Sequence, residues 1–102
     1  MSSPKFASEI SRLPKNKMIG VKVENIDVLI ANLDGKIVAL SNICTHAGCR
    51  LSGGTLTGTI AECPCHGSRF DLLTGEVRDG PTARPLRKYE VLIEGERIMI
   101  GL

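Results

Sequence analysis

Four cysteines and two histidines, all that the chain possesses, fall between Cys44 and His66. Cysteines scattered through a core would not gather in this way, and the gathering points to a metal or redox site. The six residues contain two short mixed pairs. Cys44-Thr45-His46 is a Cys-x-His pair and Cys63-Pro64-Cys65-His66 contains a Cys-x-x-His pair, with sixteen residues between His46 and Cys63. Two such pairs on two loops can converge on one centre, and thiolate with imidazole suits zinc or iron.

Three occupants compete for that ligand set. Tetrahedral zinc would accept two Cys and two His, but structural zinc sites usually use like pairs, Cys-x-x-Cys or His-x-x-x-His, and both pairs here are mixed. A plant-type [2Fe–2S] centre needs four cysteines. Cys44 and Cys49 satisfy its opening Cys-x₄-Cys, but Ser52 stands where the next cysteine belongs. A mixed [2Fe–2S] centre, with two histidines on one iron, takes one Cys and one His from each loop, which both pairs offer.

The elements that must position these ligands read as β-strands. Met18 to Val23, Ile26 to Leu33 and Lys36 to Leu40 are apolar, β-branched runs. Asp34-Gly35 is a strong hairpin signal between the last two, and Glu24-Asn25 a weaker one between the first two. Tyr89 to Ile93 and Arg97 to Ile100 form a final hairpin around Glu94-Gly95. Ser8 to Leu13 reads as a short helical turn stopped by Pro14. Between the two groups of strands, Leu51 to Gly58 reads as turns and short strands, and Thr59 to Glu62 as a strand. Ser68 to Leu72 is expected to pair with Glu76-Val77. The pattern is all-β: an antiparallel β-sandwich base with a small inserted cluster-binding lobe over about 42–80, in a single domain spanning 1–102.

The bulk numbers agree and exclude other classes. At 102 residues one domain is expected. Aromatics are 3% and Trp is absent, so the core must come from Ile, Val and Leu. A net charge of +2 without a basic stripe argues against nucleic acid. No run is long enough to span a bilayer, and the first ten residues lack the apolar stretch of a secretory signal. The expected setting is cytoplasmic and monomeric, without a membrane anchor, or periplasmic if a signal has been removed. The absence of Gln leans towards a thermophile.

The segments CTHAGC (residues 44–49) and CPCHGS (residues 63–68) resemble the two cluster-binding loops of the Rieske family in ligand type, order and spacing. The stretch GPTARPL (residues 80–86) resembles the proline loop that covers the cluster there. The resemblance implies a [2Fe–2S] cluster, with Cys44 and Cys63 on the buried iron and His46 and His66 on the outer one. It implies a soluble one-electron carrier with redox partner proteins and no catalysis of its own. The alternatives are a redox subunit of a larger oxidoreductase, in an arsenite-oxidase-like or oxygenase system, and more remotely a structural zinc module.

Family likeness also assigns the remaining residues. Cys49 and Cys65 are expected to form the disulfide that ties the loops in the high-potential branch, which ferredoxins of ring-hydroxylating dioxygenases generally lack. Ser68 stands where that branch places a hydroxyl on a bridging sulfide. Phe70 replaces a tyrosine that would donate a further hydrogen bond. Gly48 and Gly67 either admit close approach to the cluster or serve as turn residues, and Pro81 stiffens the covering loop. Arg50, Arg69 and Arg84 either ring the cluster edge or are ordinary solvated charges. Two thiolates cancel the surplus charge of two ferric ions and two sulfides, whereas four leave the centre doubly negative. The electron therefore enters more easily, consistent with about −150 to +300 mV against about −400 mV for plant-type ferredoxins. The expected potential is positive, but below that of members with the tyrosine. Reduction is also expected to couple to proton uptake at alkaline pH through the histidines.

Overall fold

The computed structural model describes residues 3–44, 48–65, 67–80 and 84–102. Among the described residues, ten strands carry the fold. β1 (Lys5–Glu9), β2 (Lys17–Val23), β3 (Ile26–Leu33), β4 (Lys36–Ser41), β9 (Lys88–Glu94) and β10 (Arg97–Gly101) form an antiparallel sheet in the order β1-β10-β9-β4-β3-β2. The short strands β5 (Thr55–Thr57), β6 (Ile60–Glu62), β7 (Arg69–Asp71) and β8 (Val77–Asp79) form a second sheet, inserted between β4 and β9.

The hairpins are set by backbone chemistry. Glu24 and Asn25 both have positive φ, at 49° and 67°, as do Asp34 and Gly35 at 55° and 103°. Two-residue loops of that kind match the twist of the strands they join. They fix Val23 opposite Ile26 and Leu33 opposite Lys36. Gly95, at φ 64°, turns the last hairpin.

β3 lies between β2 and β4 and is buried on both faces, so its apolar run does not alternate with polar residues. Val28 and Ile30 pack with Ala39, Ile98 and Ile100 in the base core. Leu29, Ala31 and Leu33 point the other way, towards Leu51, Ala61, Phe70 and Leu72 of the inserted lobe. Each buried Val, Leu or Ile among them contributes about 1.5–3 kcal/mol, so β3 joins base and lobe energetically.

The chain start differs from the expected helical turn. Ser8 and Glu9 belong to β1, opposite Ile98 and Arg97, and only Ile10–Arg12 winds into a 3₁₀ turn. The hydrogen bonds offered by β10 outweigh the local preference of a segment too short to hold a helix alone. In the lobe, the partner strand of β7 begins at Val77 and runs to Asp79, beyond the expected Glu76-Val77.

Candidate metal centre

Two loops of the lobe have the same backbone pattern. The Cys44 amide donates to the Cys49 carbonyl at 2.7 Å and the Gly48 amide to the Cys44 carbonyl at 3.0 Å. Nineteen positions on, the Cys63 amide donates to the Ser68 carbonyl at 2.8 Å and the Gly67 amide to the Cys63 carbonyl at 3.2 Å. Gly48 and Gly67 occupy equivalent places with φ of 71° and 74°. A Cβ at either would meet open space, so the requirement there is conformational: a side chain is disfavoured at that φ, not by crowding. This favours the turn reading of both glycines.

The loops are fastened at several points. Cys49 and Cys65 form a disulfide, as expected, with their Cα atoms 6.4 Å apart. Gly54 follows the 3₁₀ turn Leu51–Gly53, and a Cβ on it would run into the Glu62 carbonyl oxygen and lie 3.2 Å from Pro64 Cδ. The exit of the first loop therefore lies directly on the entry to the second. Asn42, buried at the end of β4, grips Ser52: its amide nitrogen donates to Ser52 Oγ at 3.0 Å and its Oδ1 accepts from the Ser52 amide at 2.8 Å. Its carbonyl also accepts from the Leu51 amide at 2.7 Å. One side chain thus closes the neck of the first loop.

Cys44 and Cys63 are each 2% exposed and lie in one apolar cluster with Leu29, Leu40, Leu51, Ala61, Phe70 and Leu72. Phe70 is wholly buried there. Ser68 is 0% exposed, and its Oγ has no hydrogen-bond partner among the described residues. A buried hydroxyl without an acceptor costs about 1–3 kcal/mol, so this one calls for an acceptor beyond the polypeptide groups described. His46, His66 and Pro81 lie outside the described residues.

Lower in the lobe, Asp71 holds the β7–β8 turn. Its carboxylate accepts from the Leu73 amide at 2.9 Å and from Arg78 at 3.0 Å. Burial alone would raise its pKa, but the Leu73 amide, Arg78 and the Thr59 hydroxyl together outweigh it and hold the carboxyl below the ordinary range. Two of the candidate rim arginines are engaged locally. Arg50 sits 3.6 Å from Asp27 and Arg69 2.9 Å from Glu62, with side chains 65% and 52% exposed. Arg50 and Arg69 therefore read as ordinary surface pairs. Asn42 and Asp71 carried no signal of their own in the sequence, and Gly54 read only as part of a turn.

The family model for the Rieske [2Fe-2S] domain matches residues 3–90. This chain belongs to the Rieske [2Fe–2S] family. The Rieske chain is 38% identical over 96 residues to the ferredoxin component of a naphthalene 1,2-dioxygenase system from Pseudomonas aeruginosa, covering 94% of this chain and 92% of that protein. It is 36% identical over 91 residues to the cytochrome b6-f complex iron-sulfur subunit of Chlorobaculum thiosulfatiphilum, covering 89% of this chain but 49% of that one. The ferredoxin of Sphingomonas yanoikuyae B1 superposes with a TM-score of 0.92 at 30% identity, over 98% of this chain and 99% of that chain. The Rieske chain is an electron-transfer protein with one [2Fe–2S] cluster, not an enzyme. Among the described residues no helix is long and apolar enough to cross a membrane.

The described residues fit such a cluster. Two buried thiol side chains project from matching loops into one apolar cluster, and the stranded Ser68 hydroxyl is a donor for a sulfide acceptor.

Proposed function

We propose that the Rieske protein is a one-electron carrier that works as the ferredoxin component of an oxygenase system, with its cluster held by Cys44, His46, Cys63 and His66. The observation that carries the partner class is the likeness to a dioxygenase-system ferredoxin across nearly the full length of both chains. When bound, the cluster supplies a one-electron couple. The chain's own residues do the rest. Cys44 and Cys63 anchor from the apolar side, where Leu51, Phe70 and Leu72 exclude water. Burial of the Ser68 hydroxyl keeps a hydrogen bond available that favours the more negative reduced state. Phe70 offers no such donor. The disulfide and Asn42 hold both loops in register, so little reorganisation is needed when charge changes. In this reading one domain spans 1–102, with its cluster-binding lobe at about 42–80, and works as a monomer.

A second reading, a Rieske subunit of a larger oxidoreductase complex, is favoured by the Cys49–Cys65 disulfide and by the likeness to a cytochrome b6-f subunit. Electron delivery separates the two. The chain reduced by a flavin reductase should be reoxidised by a terminal oxygenase, stoichiometrically and only when that oxygenase is present. No reoxidation, together with co-isolation in a large complex, would favour the second reading.

We place the protein in the cytoplasm of a thermophile. A lasting cytosolic disulfide is unusual outside hyperthermophiles, so the bond and the absence of Gln point to the same host. Alkylation of free thiols in fresh cells, followed by mass measurement, tests this. Alkylated Cys49 and Cys65 in the cytosolic fraction would contradict it.

A further inference from the structure

Gly80 follows the last residue of β8 and has φ 114°, a conformation that disfavours any side chain. Unlike Gly48 and Gly67, it is also crowded. A Cβ built on it would lie 2.6 Å from Ser68 Cα, 2.8 Å from Ser68 Oγ and 3.0 Å from Ser68 Cβ. Real Cβ atoms do not approach backbone so closely, and the Ser68 Cα cannot retreat easily because the Ser68 carbonyl holds the Cys63 amide at 2.8 Å. Ser68 is therefore held by the second cluster loop and closely covered by the bare backbone of Gly80. The cover is itself fastened: the Gly80 amide donates to Asp79 Oδ1 at 2.9 Å.

A serine hydroxyl has three staggered positions and, when exposed, samples water in each. Backbone lying so near that an added Cβ would collide with Cα, Cβ and Oγ leaves less room for that choice and keeps water out. We propose that Gly80 is a positioning residue for electron transfer: by lying without a side chain on Ser68, it confines the Ser68 hydroxyl to the cluster side and so sets the reduction potential. The inference rests on the reading that Ser68 donates to the cluster. Asp79, by holding the Gly80 amide, supports the same arrangement.

The test is a double-mutant cycle on the cluster-loaded protein, read as equilibrium midpoint potential. Ser68→Ala should shift the reduction equilibrium about tenfold towards the oxidised form, which is about 59 mV for one electron. Gly80→Ala should lower the potential in the same direction, and the double variant should lie no lower than Ser68→Ala alone. If Gly80→Ala has no effect, or its effect adds in full to that of Ser68→Ala, Gly80 does not act through Ser68 and the proposal is overturned. If Ser68→Ala itself leaves the potential unchanged, what fails first is the reading that Ser68 donates to the cluster, and the proposal fails with it.

Should Gly80→Ala not retain its cluster, substitutions at Asp79 decide the matter. Asp79→Asn keeps an oxygen acceptor for the Gly80 amide and removes a negative charge, which by itself raises the potential. Asp79→Ala removes the same charge and also the acceptor. If Gly80 acts through Ser68, Asp79→Ala lies below Asp79→Asn when Ser68 is present and matches it when Ser68 is alanine. Equal potentials for the two in the presence of Ser68 would overturn it.

Discussion

Cys49 and Cys65 are sixteen residues apart and joined by a disulfide, with Cys65 exposed and Cys49 half-buried. Each adjoins a loop that also bears a buried cysteine, Cys44 or Cys63, so the bond fastens the second loop to the first from the solvent side while the apolar cluster fastens them from within.

Closing a loop of that length removes denatured-state freedom worth about 3 kcal/mol. The Cys49→Ser/Cys65→Ser variant is expected to lose about that much in a guanidinium titration and to bleach faster on heating. Because Cys65 is exposed, a dithiol reductant should reproduce the effect in the unaltered protein. A pair variant as stable as the parent would show that the inner packing suffices.

Asp71 makes the fold sensitive to acid. Its carboxyl titrates lower when folded than when unfolded, so its contribution is complete above the unfolded value of about 3.9 and is lost as pH falls through the lower folded value. Asp71→Asn should cost about 1.5–3 kcal/mol at pH 7, the scale of hydrogen bonds to a charged group. The gap between parent and variant should close below about pH 4. A gap constant down to pH 2.5 would mean that the charge is irrelevant.

Asn42 and Gly20 should be coupled. Removal of the Asn42 side chain strands the Ser52 amide and hydroxyl, and Asn42→Ala is expected to cost about 1–3 kcal/mol. A Cβ on Gly20 would lie 2.6 Å from both Asn42 Nδ2 and Ser52 Oγ, so Gly20→Ala should cost about 1–3 kcal/mol through overpacking. Alanine at 42 opens the room that alanine at 20 requires. The double variant should therefore be more stable than the sum of the two losses, as read by thermal unfolding.

Much of this was legible in the sequence because it is written locally. Asp34-Gly35 announces a hairpin through its backbone preference, and the unbroken apolar run of β3 reflects burial on both faces. The Cys/His pairs carry their chemistry in their spacing, and the Cys49–Cys65 bond was implied by family likeness. What escaped depends on distant partners. β1 exists because β10, at the far end of the chain, offers it hydrogen bonds. Gly54 and Gly80 look like turn residues until Glu62 and Ser68 are seen against them, and Asn42 becomes a clamp only once Ser52 is brought back to it. The arginines could be read either way from the sequence, and Arg50 and Arg69 each pair with a carboxylate of their own chain, as ordinary surface charges do.

The central claim, a [2Fe–2S] cluster on two cysteines and two histidines, is tested most directly by low-temperature EPR of the protein reduced with ascorbate and, separately, with dithionite. Mixed ligation gives a rhombic signal whose average g lies below that of all-cysteine clusters, already present with ascorbate if the potential is positive. An average g typical of four-cysteine ligation would contradict it, as would the absence of any signal after dithionite from protein containing zinc in place of iron.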